Sequence, residues 1–403
     1  MKPTFLAIIT VFVTAVMLIF TACAGEDRTG VTDDEVVIGS WAPLEGPAAL
    51  WGSVARGMDA YFKMINDEGG IHGRDIRFIY RNDGYEPART VSVVRQMVQS
   101  DGVFMFAGGV GTAPGMAVKD YILDRNIPWV SPASGSTHWA FPPHDYLFST
   151  YPLYSEEAAV QVDYLVEEMG LSKIGIIYQS DDYGRGGRIG AELALEAHGL
   201  EMVATVSTQI MDTDLNSHVA RLQSAGAEAV LLWVLPRQAA ITLGTAAVRG
   251  FSPQWVASST LSDMALMYDI TDGGWADVIF SSFGGIDINN PELYEKYKAA
   301  LEKHHPDVRW GTFAIAGFLF AEPIAEGLRI AGSELTRESF VEAMESIRGF
   351  QGLGPEINFG PGIRQGTRST FLVRCVSATE FEKLTDFRES DIDIDEAIKR
   401  LGL

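Results

Sequence analysis

The stretch 36–87, VVIGSWAPLEGPAALWGSVARGMDAYFKMINDEGGIHGRDIRFIYRNDGYEP, constrains the fold more than any other part of the chain. An apolar run, 36–41, ends in a Pro/Gly loop at 43–47. The spacing predicts an amphipathic helix next, with Val54, Met58, Phe62 and Ile65 on one face and Glu68-Gly69-Gly70 as its stop. An alternating strand, 76–80, ends in the turn Asn82-Asp83-Gly84, and a further helix follows. This is a βαβ unit whose first strand-to-helix loop is too elaborate for a mere connection. In such units ligands sit at the carboxyl ends of the strands.

The pattern recurs along the chain. Helices are expected at 88–100 and 112–126, with strands at 103–108 and 129–132. Near 148–151 the chain crosses into a second unit. Its helices are expected at 156–169, 188–198, 217–225, 238–249 and 263–269, and its strands at 173–178, 202–207, 229–234, 255–257 and 278–283. Two more helices, 291–304 and 312–330, follow. Such alternation implies parallel sheets with helices on both faces. The expected class is α/β, in two Rossmann-like doubly wound lobes, and 403 residues suffice for both.

Charge narrows the choice of partners. The chain has 31 basic and 53 acidic residues, a formal net charge of −22, which argues against a nucleic-acid partner. Solubility, or a salty medium, is a simpler account of the acidity than an acidic binding surface. At the N-terminus Lys2 precedes an apolar run, 5–20, followed by Thr21-Ala22-Cys23. The run falls short of the ~20 residues that span a bilayer and reads as a signal peptide, 1–22. Small residues before a cysteine resemble the bacterial lipobox, in which Cys23 becomes the lipidated first residue of a tether, 23–35; Phe20 stands where that pattern usually has Leu. The alternative is a cleaved signal with an incidental cysteine. Only Cys375 remains, so an acylated Cys23 leaves no intrachain disulfide. Cys375 lies in an apolar run and reads as a buried, inert thiol. No metal site, cofactor or redox motif follows from this cysteine count.

Several residues could carry a site. At Gly108-Gly109-Val110-Gly111-Thr112 a strand ends, small residues let a ligand approach, and Thr112 opens a helix whose free N–H groups favour an anion. A plain N-cap at Thr112 accounts for the same residues. The Gly-Lys-Ser/Thr ending of a P-loop is absent. Ser134-Gly135-Ser136 follows the next strand end and faces the same side, as a ligand loop or as a simple turn. Trp51 sits in the first βα loop, either as a pocket wall or packing that loop onto its lobe. Tyr183 lies in Asp181-Asp182-Tyr183-Gly184, which also reads as a turn, and Trp310 is a weaker candidate wall. The seven histidines are scattered, adjacent His304 and His305 face different ways on a helix, and no Gly-x-Ser-x-Gly elbow occurs, so an enzyme is not expected.

The segments APLEGPAALWG, INDEGGIHGRDI and NDGYEPART, with GGVGTAP, PWVSPASGS, YQSDDYGRGG and ARLQSAGAEAVLLWV, resemble the periplasmic branched-chain amino-acid-binding family, the type I solute-binding proteins of ABC importers. The resemblance covers 36 to about 359. It implies a hinge of three crossings, near 150, 281 and 355. Lobe I would then be 36–150 plus 284–355, lobe II 151–283 plus 356–385, and 386–403 a C-terminal tail without an assigned role. It implies a ligand carboxylate held at Gly111, Thr112, Ser134, Gly135 and Ser136, with Gly135 standing where family members often have Thr, and ligand contacts from Trp51 and Tyr183. Permease and ATPase subunits, a periplasmic or cell-surface location through the lipid anchor, and a monomer are the implied context.

One departure bears on the ligand. The family places an acid for the α-ammonium after the strand 255–257, where this chain has Ser259, with Asp263 four residues later. A family aromatic is also replaced by Val234 or Leu235. A buried ammonium without a counter-charge is costly. Two classes of solute therefore stand side by side: a branched-chain or related amino acid, and an aromatic acid, short aliphatic acid or amide lacking an ammonium. A ligand sensor of the same fold is the further alternative.

Overall fold

The computed structural model describes residues 28–284 and 290–403. The signal peptide and Cys23 lie outside these residues. Strand β1 (Glu35–Ala42) leads through a single 3₁₀ turn carrying Trp51 into helix α1 (Ser53–Asp67), then β2 (Asp75–Asn82) and α2 (Pro87–Gln96). Strand β3 (Met105–Ala107), helices α3 (Thr112–Met116) and α4 (Lys119–Leu123), β4 (Trp129–Val130) and β5 (Leu147–Phe148) complete a five-stranded parallel sheet of order β2-β1-β3-β4-β5.

The second lobe opens with α5 (Tyr154–Asp163), β6 (Ile174–Gln179) and α6 (Asp182–Ala197). It continues through β7 (Ala204–Thr208), α7 (Asn216–Ser224), β8 (Ala229–Trp233), α8 (Pro236–Val248), β9 (Gln254–Ala257), α9 (Met264–Ile270) and β10 (Ile279–Ser282). Helices α10 (Pro291–His304), α11 (Thr312–Ala331) and α12 (Arg337–Ser346) return to the first lobe. Gly57 of α1 and Gly317 of α11 make that return possible. A Cβ on Gly57 would lie 2.0 Å from the Ala314 carbonyl, and one on Gly317 2.2 Å from the Val54 carbonyl. The helices thus touch backbone to backbone, flanked by Tyr61, Tyr297 and Phe318 in edge and stacked contacts.

The last strands, β11 (Phe371–Cys375) and β12 (Phe381–Lys383), add antiparallel to the second sheet, of order β12-β11-β10-β9-β8-β6-β7. The third crossing falls later than the sequence suggests. Residues 356–366 stay with lobe I: Ser149 bridges Gln365, Phe359 packs edge-on against Phe148, and the buried Arg364 binds the His144 carbonyl and Glu345. The Gly/Pro-rich segment folds back on itself through bridges Phe350–Ile357 and Gly360–Ile363, and the chain crosses only at 367–370. Beyond it, α13 (Ile394–Leu401) lays Ala397 and Leu401 on Ile189 and Leu193 of α6, with Arg400 held by both carboxylate oxygens of Glu196.

Four helices differ from their expected form. The segment expected as one helix, 112–126, is two five-residue helices. The ends of α2 and α5 widen into π turns, Met97–Asp101 and Tyr164–Glu168. Helix α6 starts six residues early, because Asp181 caps it through the Tyr183 and Gly184 N–H groups. Gly184 reads as part of a turn, yet it, Gly187 and Gly190 are there for contact. A Cβ on Gly184 would meet the Gln179 carbonyl at 2.1 Å, one on Gly187 the Trp233 ring at 2.1 Å, and one on Gly190 the Ser155 carbonyl at 2.0 Å.

Candidate functional site

Carboxyl ends of strands from both lobes face one another across a cavity. Lobe I supplies Trp51 and Val54 from the first βα connection, Tyr85 after β2, Val110 and Gly111 after β3, Ala133 after β4, and Phe313, Ala316 and Phe320 of α11. Lobe II supplies Tyr154, Tyr183, Ser259, Thr260 and Ser262. Tyr151 and Phe283 line it from the first two crossings. Among the described residues, no Lys, Arg, His, Asp or Glu side chain lines this cavity.

The lobes are closed on each other. Trp51 Nε1 donates to the Thr260 carbonyl at 3.0 Å, and Thr312 Oγ1 to the Ser262 carbonyl at 3.1 Å. Asp263 belongs to the same seam. Its Oδ1 accepts from Leu266 N, capping α9, and its Oδ2 accepts from Phe313 N at 3.4 Å, capping α11 of the opposite lobe. Burial holds its carboxyl above the usual range, and these N–H groups oppose that. Asp263 is therefore a double helix cap set behind the wall, not a free counter-charge within the cavity.

The residues expected at a carboxylate subsite are brought together, one layer back. Gly111 lines the cavity at φ 103°, a conformation open to glycine, and a Cβ there would lie 2.4 Å from the Tyr85 ring. Thr112 and Ser134 are buried and share a hydrogen bond at 2.8 Å, while Ser134 Oγ also accepts from Ser136 N at 3.3 Å. The Tyr154 hydroxyl reaches the same pair of hydroxyls, and its own N–H donates to the Gly135 carbonyl. Gly135 has no room for the family's Thr, since a Cβ would sit 2.2 Å from the Pro152 carbonyl and 2.8 Å from the Tyr154 ring. Burial pushes the Tyr154 phenol up, so it stays a neutral donor. Tyr154 thus covers the hydroxyls that the resemblance assigns to a ligand.

Opposite, the Tyr183 hydroxyl lies 2.9 Å from Ser258 Oγ and 2.6 Å from Thr260 Oγ1. Ser259 lies against Glu157 of α5 and Tyr151. The aromatic replaced at Val234 and Leu235 reappears one residue earlier: Trp233 backs Tyr183 and Tyr154 at ring distances of 5.7 and 5.4 Å. Trp310 does not line the cavity; it packs on Tyr294 and Phe318. His304 and His305 bind Asp67 and Asp59 respectively, at 2.8 and 2.6 Å.

Sequence reasoning missed Tyr85, Tyr151, Tyr154, Phe283, Phe313, Phe320 and the buried Glu157. Two of these carried a usable signal. Tyr85 and Phe283 stand just past strands β2 and β10, where the rule that picks out Trp51 and Tyr183 applies equally. Phe313 and Phe320 sit on a helix apolar all round, where a pocket wall and a core residue look alike.

A family model described as periplasmic binding protein matches residues 35–380. The chain belongs to the periplasmic binding protein family. That family comprises solute-binding proteins, not enzymes. The chain is 30% identical over 197 residues to the Leu/Ile/Val-binding protein homolog 3 of Brucella melitensis, an alignment covering 49% of this chain and 53% of that relative. Its fold is similar to a possible leucine/isoleucine/valine-binding protein from Rhodopirellula baltica (TM-score 0.81, 22% identity, 89% of this chain and 98% of the other). It is equally similar to a fatty acid ABC transporter substrate-binding protein from Thermomonospora curvata (TM-score 0.82, 24% identity, 91% and 96%). Among the described residues no helix is long and apolar enough to cross a membrane.

Proposed function

We propose that the protein is the extracytoplasmic solute-binding component of an ABC importer, carrying a small solute with an apolar body and no ammonium group. The observation that carries this reading is the cavity wall: aromatic rings and small aliphatic side chains around hydroxyls and backbone groups, with no ionised side chain among the described residues. Ser259 replaces the expected acid, and Asp263 is spent on two helix ends. An ammonium closed in here would lose its water and meet no carboxylate directly. An aromatic or short aliphatic acid, or an amide, loses less. Closure selects such a solute, because contacts to both lobes form only in the closed state.

The importer context rests on the family and on the signal-like N-terminus. Cys23 would anchor the chain to the membrane, with permease and ATPase subunits as partners of a monomer. Cys23→Ser should release the protein from membranes; retention would contradict the anchor.

A thermal-shift screen of the detergent-solubilised full-length chain tests the solute class. A solute at a hundred times its dissociation constant adds about 2.7 kcal/mol of stability. Shifts with aromatic or aliphatic acids or amides are expected. Shifts confined to leucine, isoleucine and valine would overturn the ammonium-free reading.

A further inference from the structure

Ser259 stands where an acid is expected, and a buried acid stands directly behind it. Glu157, in the first turn of α5, is 1% exposed. One carboxylate oxygen accepts from Ser259 N at 2.5 Å, and the other from Ser259 Oγ at 2.7 Å. The Ser281 hydroxyl of β10 is a third partner; its oxygen already accepts from Gln161 Nε2 at 2.7 Å, so its own proton is available to Glu157.

This arrangement fixes where protons point. At pH 8, above the value of about 7 to which burial raises Glu157, the carboxylate has no proton to give, so Ser259 must donate to it. Tyr151 Oη lies 2.9 Å from the same Ser259 oxygen, whose proton is spent, so Tyr151 must be the donor in that contact. Both residues line the cavity, and both are left with lone pairs to offer it. We infer that Glu157 sets the direction of the Ser259 and Tyr151 hydroxyls, so that this wall recognises a hydrogen-bond donor of the solute, a hydroxyl or an amide N–H, and rejects an acceptor at the same place. Glu157 touches no solute and is a positioning residue. The inference rests on the solute-binding reading and sharpens its substrate class: an apolar-bodied solute with a neutral donor beside Tyr151. An acceptor placed there would face two lone pairs and stay unpaired after losing its water.

Glu157→Gln reverses the relay without changing its shape. The Ser259 N–H can only donate, so the amide oxygen must take its position, and the amide NH₂ then faces Ser259 Oγ and donates to it. The Ser259 proton turns to Tyr151, and the Tyr151 proton turns into the cavity. Tyr151→Phe keeps the ring and the Glu157–Ser259 contact but removes the cavity-facing lone pairs.

The test is calorimetric titration at pH 8, where Glu157 is ionised, of the full-length wild type and both variants, each first shown to melt cooperatively. The probes are two matched series that differ at one carbon: leucine, 2-hydroxy-4-methylpentanoate, 4-methyl-2-oxopentanoate and 4-methylpentanoate, and the corresponding phenylalanine series. The wild type should bind a hydroxy acid at least about tenfold more tightly than its oxo partner. Glu157→Gln should invert that ratio, and Tyr151→Phe should bring it near one. A wild-type preference for the oxo acid, or a ratio unmoved in folded Glu157→Gln, overturns the relay and leaves the solute-binding reading standing. A hydroxy-over-oxo preference with the amino acid binding tightest of all keeps the relay and overturns the ammonium-free class. No binding by any member in either series overturns the solute reading for acids, and the relay with it.

Discussion

The two lobes bring hydroxyls to the cavity by opposite devices. In lobe I, Thr112 and Ser134 bind each other and Tyr154 covers them, so the described partners of the pair are neutral hydroxyls. In lobe II, Ser259 is tied to a buried carboxylate, and every proton in the cluster runs toward it. An undirected cluster can meet either a donor or an acceptor; a directed one can meet only a donor. The comparison teaches that the side chains at a wall do not settle its polarity. The groups one layer behind them do.

The largest effect expected from this difference is on pH dependence. Burial pushes Glu157 up to about 7, with its three hydrogen bonds opposing the shift. Burial does the same to Glu322 of α11, which accepts from the Tyr297 hydroxyl and Leu353 N and is also pushed to about 7. In the unfolded chain both return to the ordinary glutamate value of about 4.3. Between these values the folded state binds more protons than the unfolded one. Stability from these groups is therefore full at low pH, falls as pH rises from about 4.5 to 7, and stays low above that. Each contributes on the order of 3 kcal/mol. Denaturant titration at pH 5 and pH 8 should show the loss, and Glu157→Gln with Glu322→Gln should make it shallower, the remainder coming from other acids raised by burial such as Asp181 and Asp263. An unchanged slope in Glu157→Gln alone would break the claim that a carboxylate directs lobe II.

Packing separates the lobes next. Gly135→Ala should cost about 1–3 kcal/mol, because its methyl group meets the Pro152 carbonyl rather than a movable side chain. Ser259→Ala should cost about 1–2 kcal/mol by orphaning one Glu157 oxygen and Tyr151. It should also abolish discrimination between donor and acceptor solutes, which Gly135→Ala should not. Urea unfolding and solute titration, run in parallel on both variants, check the pair. The smallest effect expected is at the seam. Trp51→Phe removes the hydrogen bond to Thr260 and should favour the open state by about 1 kcal/mol, read as a roughly fivefold loss of solute affinity.

Most of the fold was legible because period and punctuation agree with the tertiary structure. The face Val54, Met58, Phe62 and Ile65 is buried as spaced, and β1 is apolar because it is central. Legibility failed where a residue type has two physical uses. Gly184 of α6 resembles a turn residue but lets the Gln179 backbone approach. Gly/Pro density at 349–362 resembles a hinge but folds back on lobe I. At the site, loops after strands point to Trp51, Gly111, Tyr183 and Ser259, all of which line the cavity. Asp263 could not be told from a counter-charge, because its partner Phe313 lies 50 residues away in sequence. Glu157 was invisible for the same reason, being joined to Ser259 across 102 residues.

The most direct test of the central claim, a closed cavity with no counter-charge among the described residues of its wall, is one paired calorimetric titration of the full-length protein at pH 8 with 2-hydroxy-4-methylpentanoate and leucine. The two probes share a skeleton and differ in one group, a neutral donor against a charged one. The structure predicts tighter binding of the hydroxy acid. Leucine binding tenfold more tightly would contradict it, and would mean that Glu157 acts through Ser259 as a full counter-charge.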